Sequence, residues 1–342
     1  MSLTPEYVAK EIATGHWKPN LYLTNVSIAY LQKPENVAKG IRLFPRVPVP
    51  TATGHYYKYD KGSIARDDVK RKPAFGKVTP AVVGIEEDTY SCKVDQVIMG
   101  IDQIVSLNFQ RAGVPGSIDP RKTKAIAATE KMNIHLDVMF AKEFFQKGVW
   151  KNELEGVATT PSSKQFYQFD NDNADPIVLF DTLCNEIKRE GRRKPNKLAL
   201  GVDTFTALKE NALLLERIKF GGTTANPATV NEKVLAELFG VEEVIVLDSS
   251  YNTAPLGQEP KMEFICDTKG ALLLYAPSSP SVDEPSAGYT FSWDPLGNGQ
   301  PVVFSHFLGE SGTHAEFVEG LCAYDMKKTC DDMAVYLKNC VK

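Results

Sequence analysis

A chain of 342 residues, 43% hydrophobic and 24% charged, is long enough for two or three packed lobes and too apolar to be disordered. A formal net charge of −4 argues against a sequence-specific DNA reader, which carries a basic balance or a strongly basic face. The longest unbroken apolar stretches, 176–180 and 271–276, fall far short of a bilayer span. No basic start with an apolar core and a small-residue cleavage site follows Met1, so the chain reads as soluble, unsecreted and cytosolic when made.

Residues 1–50 alternate short apolar patches with prolines at 5, 19, 34, 45, 48 and 50. Each proline lacks an N–H and biases its predecessor toward extended backbone, which predicts an extended arm that lies across something else. Residues 51–85 read as a protruding hairpin. Thr53–Tyr59 carries Tyr56, Tyr57 and Tyr59, residues that favour strands, and the polar run KGSIARDDVKRKPAFGK follows. From Lys58 to Lys77 seven basic residues face three acidic ones, which suits a solvated loop or a docking element equally. Alternation over 89–97 then predicts a strand.

A long helix is predicted next. Asp119 suits the N-cap, Pro120 the first helical position and Gly148 the end, over a stripe of Ile126, Met132, Leu136, Met139, Phe140 and Phe144. Such a helix, about 40 Å long, exceeds most in globular domains. His135 within it reads as packed or partly exposed, not catalytic.

From 176 short helices and strands alternate. Asp175-Pro176 opens a helix ending at Gly191, and a strand covers 198–202. Asp203 is expected to cap a helix running toward Lys219 and stopping at Gly221-Gly222. Thr229 and Glu232 form a predicted capping box for a third helix, with Val234, Leu235 and Leu238 inward and Gly240 at its end. Strands are expected over 244–247, 262–266, 271–275, within GYTFSW (288–293), and over 302–307 and 316–324, before a polar tail.

No constellation for chemistry emerges. The G-x-x-x-x-G-K-[ST] and H-E-x-x-H motifs and the G-x-S-x-G elbow are missing, and Gly297-Asn298-Gly299 reads as a tight turn. The segment 170–173 (DNDN) departs from a calcium loop because Asp175 stands where glycine is required. Ser311 and His314 are neighbours in a glycine-rich loop, which makes no triad. The six cysteines lack C-x-x-C spacing and are expected to be reduced and partly buried. No catalytic, cofactor-binding or metal residue is assigned, and no cofactor is expected.

Four stretches carry a resemblance: PNKLALGVDTFTALKENALLLERIKFGG (195–222), NEKVLAELFGVEEVIVLDSSYNTA (231–254), KGALLLYAP (269–277) and PSAGYTFSW (285–293). In this order and spacing they resemble the major capsid proteins of tailed bacteriophages, of the Hong Kong 97-type fold. The resemblance implies an α+β fold with an N-terminal arm (1–50) and an extended loop (51–85). It further implies a peripheral domain (86–175) with a spine helix at 120–147, an axial domain (176–300), and a return to the peripheral sheet with a C-terminal tail (301–342).

As function it implies a structural subunit, not an enzyme, that builds hexamers and pentamers of an icosahedral head around double-stranded DNA, inside a bacterial host's cytoplasm. Mild acidity does not exclude a wall around packed DNA, since a lining that gripped phosphates tightly would obstruct filling and ejection. The implied partners are other copies, a portal and a separate scaffolding protein, with a decoration protein left open, non-specific contact with packaged DNA, and no membrane. Arg66, Lys70, Arg71 and Lys72 are the candidates for inter-subunit ion pairs. An encapsulin-like nanocompartment shell and an α/β enzyme are the rival readings.

Overall fold

The computed structural model describes residues 21–31, 37–59, 66–72, 74–81, 84–104, 120–221, 230–278, 284–297, 302–310 and 312–342. Two sheets organise them. The first holds β1 (Arg46–Val49), β12 (Gly288–Trp293), β14 (Ala315–Lys328) and β13 (Val303–Leu308) in that order, with β4 (Lys93–Asp102) on the other side of β14. The second runs β6 (Gln165–Tyr167), β5 (Glu153–Val157), β15 (Ala334–Lys338), β11 (Ala271–Leu274), β7 (Lys197–Gly201), β8 (Glu243–Leu247). In it β11 runs antiparallel to its neighbours β15 and β7, while β5, β6 and β8 pair in parallel. Two smaller hairpins pair β2 (Thr53–Tyr59) with β3 (Ile85–Ser91), and β9 (Ser250–Asn252) with β10 (Met262–Phe264).

The strands β15, β11, β7 and β8 of the second sheet are buried on both faces and accordingly read as nearly continuous apolar runs. Strand periodicity assigns alternate residues to two cores. Ala199, Ile245, Leu272, Leu274 and Tyr336 join a core with the helix α3 (Pro120–Glu143) and the first sheet's Phe304, Val318 and Tyr324. Leu198, Leu200, Val244, Leu273 and Leu337 face a second core, roofed by α4 (Pro176–Gly191), α5 (Val202–Glu210), α6 (Ala212–Gly221) and α7 (Glu232–Phe239). At the end of β7, Gly201 admits no side chain, since a Cβ there would lie 2.3 Å from the Thr268 carbonyl oxygen. Gly201→Ala is expected to cost about 2 kcal/mol through overpacking against backbone, read as a lowered urea midpoint.

The helix α3 begins at Pro120 as the sequence predicts; its proposed cap, Asp119, lies outside the described residues. It spans 24 residues, about 36 Å, and ends at Glu143 rather than running on to 147. The reason is local. The Phe145 N–H donates to the Phe140 carbonyl at 3.2 Å, Phe144 and Phe145 turn into the core, and Trp150 Nε1 donates to the Phe144 carbonyl at 2.8 Å. Gly148 takes its left-handed φ of 86° beyond the helix.

Several other expectations change. The arm expected over 1–50 is, in its described part, built into the body. The helix α1 (Leu21–Leu31) packs on α3, a short helix α2 (Lys39–Leu43) follows, and β1 pairs in parallel with β12. The polar tail contains β15, which lies inside the second sheet, with Ala334, Tyr336 and Leu337 fully buried. The lobes also interleave along the chain. The strand β12, expected in an axial unit ending at 300, belongs to the first sheet, whereas β5, β6 and β15 belong to the second.

Asp203 lies inside the first turn of α5, whose N-cap is Gly201. The expected single helix to Lys219 breaks at Asn211, whose side chain accepts from the Leu214 N–H and donates to the Phe169 and Ala174 carbonyls. Asn231, not Thr229, caps α7 by accepting from the Val234 N–H, and Thr229 lies outside the described residues. Asp175 caps α4 and Gly240 closes α7 as predicted.

Candidate assembly surface

Among the described residues no group of three or more His, Cys, Asp or Glu side chains could hold a metal ion, and no helix is long and apolar enough to cross a membrane. All six cysteines are free thiols. Burial pushes Cys92 and Cys266 up to about 12, far from the thiolate that reactive cysteines need. The segment 170–173 forms a turn before α4, with the Asn171 side chain accepting from the Asn173 N–H; Ser311 and Asn298-Gly299 lie outside the described residues. His135 is half exposed, its Nε2 3.5 Å from Asp95 Oδ2, and this carboxylate raises its pKa against the opposing effect of burial.

The features that stand out lie on the surface. The β2–β3 hairpin projects from the first sheet in unbroken register from Thr53↔Ser91 to Tyr59↔Ile85. Its root is clamped by aromatic packing. The Tyr90 ring stacks on Phe291 of β12 at 4.7 Å, and Tyr56 lies 5.3 Å from the same ring. Around them Val47, Val49, Cys92, Trp293, Leu296 and Leu321 close a third core. The Tyr56 hydroxyl donates to Asp88 Oδ2, and Lys58 Nζ reaches the same oxygen at 2.6 Å. Asp88 sits near 2, held down first by the Lys58 hydrogen bond. The Ser91 N–H donates to Asp325 Oδ2 of β14 at 2.7 Å.

Beyond that root most of the described residues in 66–72 and 74–81 are exposed. Arg66, Lys70, Arg71 and Lys72 are all exposed, and none of their side chains has a hydrogen-bond or ion-pair partner among the described residues. Val69 is 91% exposed and Phe75 fully so. Phe75 is one residue that the sequence did not single out. It is the lone aromatic in the polar run, and that isolation was its only signal. Its backbone adds a second one, a positive φ of 58°.

Two further surfaces lie on the first sheet. The outer face of the first sheet leaves Ile98 and Phe307 substantially exposed, with Phe307 stacked on Phe317 at 5.3 Å. On the sheet's other face Glu316 gathers Arg121 Nε and NH2 at 2.8 Å each, Gln103 at 2.9 Å and His306 Nε2 at 3.1 Å. Burial raises its pKa, but these donors outweigh it and leave the carboxylate below its ordinary range. Every strong polar group of this cluster is thus satisfied within the chain, and the exposed apolar surface is what lacks a counterpart.

No protein-family model matches the sequence, and no curated protein matches it either. Solved structures do. A phage-related protein from Bordetella bronchiseptica RB50 aligns over 94% of this chain and 97% of its own, with a TM-score of 0.70 at 18% identity. A virus-like particle from Pyrococcus furiosus aligns over 93% and 100%, with a TM-score of 0.54 at 12% identity. The capsid of the cyanophage P-SCSP1u aligns over 86% of each chain, with a TM-score of 0.50 at 10% identity. At such identities the likeness is one of fold.

Proposed function

We propose that this chain, whose fold is the Hong Kong 97 type of the phage capsid proteins, is the subunit of a closed protein shell and catalyses no reaction. One observation carries the reading. The hairpin is locked to the body by Tyr56, Tyr90 and Phe291, yet the described residues between its strands expose Val69, Phe75 and the cations Arg66, Lys70, Arg71 and Lys72. Exposed apolar side chains in the segment that joins two anchored strands are stabilised when another surface covers them. We assign the hairpin as the extended loop, α3 as the spine helix, the first sheet as the peripheral domain and the second sheet with α4–α7 as the axial domain. Hexamers and pentamers of an icosahedral phage head around double-stranded DNA are the assembly this reading entails, assembled in the bacterial cytoplasm with portal and scaffolding proteins.

Expression of the chain and electron microscopy of the product test the proposal: closed particles are expected, and a product that stays monomeric at all concentrations overturns it. Arg71→Glu with Lys72→Glu, and separately Phe75→Ser, are expected to lower particle yield on the order of tenfold, because like charges at an interface and lost anchors each cost a kcal/mol or more. The isolated subunits should keep their stability to within about 0.5 kcal/mol, as exposed sites do.

The likeness to the virus-like particle is one of fold and fits a second reading equally, an encapsulin-like nanocompartment shell that holds protein instead of nucleic acid. The absorbance ratio of purified particles, followed by nuclease and protease digestion of their contents, separates the two.

A further inference from the structure

The second sheet carries an apolar knob at one edge and an apolar cleft at the other. The knob is the turn of the β9–β10 hairpin, which begins just after β8 ends at Leu247. The Gln258 N–H donates to the Pro255 carbonyl at 3.2 Å, and Gly257 takes a φ of 90°, the signature of a turn that needs glycine at its third position. Leu256 stands at the corner of this turn, fully exposed. The hairpin beneath it is braced. Asn252 Oδ1 accepts from the Ala254 and Lys261 N–H groups, and the Thr253 N–H donates to the Lys261 carbonyl at 2.9 Å. A leucine is therefore presented to solvent by a preorganised support.

The cleft lies at the edge strand β6, between that strand and the first turns of α4. It is open to solvent, has a volume of about 270 Å³, and is lined by Pro161, Phe166, Tyr167, Asp175, Val178 and Leu179 among others. Val178, on its rim, is 55% exposed. This volume suits one branched aliphatic side chain and its turn.

Position makes the two complementary. The parallel pairings of β7 with β8 and of β15 with β5 and β6, joined through antiparallel β11, point β6 and β8 the same way. Knob and cleft consequently sit at the same end of the sheet on opposite edges, separated by five strand spacings, about 24 Å. A chain built so cannot fill its own cleft, but copies placed side by side around an axis can each fill the next one's. Such a head-to-tail contact closes into a ring when the rotation between neighbours divides a full turn. Charge agrees: Glu259, exposed beside the knob, is opposite in sign to Lys164, exposed in the turn between Pro161 and Phe166.

We propose that Leu256 of one copy inserts into the β6–α4 cleft of the next, making a heterologous contact that closes the ring of a capsomer. This inference rests on the shell reading and adds the residues that set subunit order within a ring. The test is the double variant Leu256→Cys with Val178→Cys, oxidised after assembly and run on a non-reducing denaturing gel. A ladder ending at a closed pentamer or hexamer is expected, while each single variant, which keeps the native thiols, runs as monomer. Leu256→Asp is expected to reduce ring and particle yield by roughly tenfold or more, as loss of a buried anchor does, with unchanged subunit melting.

Double-cysteine particles that run as monomers, or Leu256→Asp particles at full yield, overturn the contact while leaving the shell reading intact. A photo-crosslinking amino acid at position 178 identifies the occupant directly. A link to residues 66–81 of a neighbour, or to a different protein, overturns the choice of Leu256. Failure of the unmodified chain to assemble overturns both.

Discussion

Asp137→Ala is expected to lower the unfolding free energy by about 3 kcal/mol at neutral pH, the loss of one buried acceptor shared by two donors. Asp137 lies on α3 at 6% exposure. It accepts from the Gly40 N–H at 3.0 Å and from Ser249 Oγ at 2.7 Å. Through these bonds it ties α3 to α2 on one side and to the segment after β8 on the other. Lys39 strengthens the same junction, bonding the Val246 carbonyl at 3.0 Å and Asp248 at 2.8 Å. Alanine leaves the Gly40 N–H buried with no partner. Asparagine keeps an oxygen for Gly40 and can donate to Ser249, so Asp137→Asn should cost roughly 1 kcal/mol or less.

Burial raises the Asp137 pKa, against the Gly40 and Ser249 hydrogen bonds and the nearby Lys39 charge. The folded state therefore holds this proton to a higher pH than the unfolded chain does. Its contribution falls as pH rises from the ordinary carboxylate range through the raised folded value, and the penalty is complete above it. The asparagine variant should lose that slope. Urea denaturation at pH 7 and through the acid range measures both effects, and an alanine variant within 1 kcal/mol of the parent would show that the junction carries little.

Phe291→Ala is expected to cost about 3–5 kcal/mol and to release the hairpin from the body. The ring is buried and stands under Tyr90, Tyr56 and Tyr289, with centroid distances of 4.7, 5.3 and 6.4 Å. Its removal leaves a cavity that β12, held by β1 and β14, has little freedom to fill. Hydrogen exchange should accelerate in 53–59 and 85–91 well before the second sheet opens, since Tyr56 and Tyr90 of the hairpin both pack on this ring. Uniform acceleration over the whole chain would instead mean that hairpin and body unfold together. Particle yield should fall further than stability does, because a freed hairpin must be ordered again at every contact.

The elements legible in the sequence share one property: their signal is local. Asp175-Pro176 and Gly191 bound α4, and Tyr56, Tyr57 and Tyr59 mark β2. The runs ALLL and GYTFSW are strands because apolar and β-favouring residues follow one another without a breaker. The candidate assembly surface was half legible. The basic residues 66, 70, 71 and 72 showed as charge in a polar run, whereas Leu256 and the cleft across the sheet did not. A single exposed leucine has no sequence signature, and a cleft is made by residues distant in the chain.

Sequence alone thus determined the class of fold, the order of most helices and strands, the lack of a recognisable catalytic or metal motif, and the resemblance to a capsid family. Tertiary structure decided where the chain ends its long helix, that the C-terminal AVYLK (334–338) is a central strand, and that 38–49 is wedged into the body instead of lying outside it. These outcomes depend on partners far away in sequence. The strand β15 is buried because β11 and β5 flank it, and Phe44 is buried because Phe140, Phe144 and Trp150 surround it. Propensity acts over a few residues, but burial is a property of the whole packed chain, and where the two compete the larger free energy of removing apolar surface from water prevails.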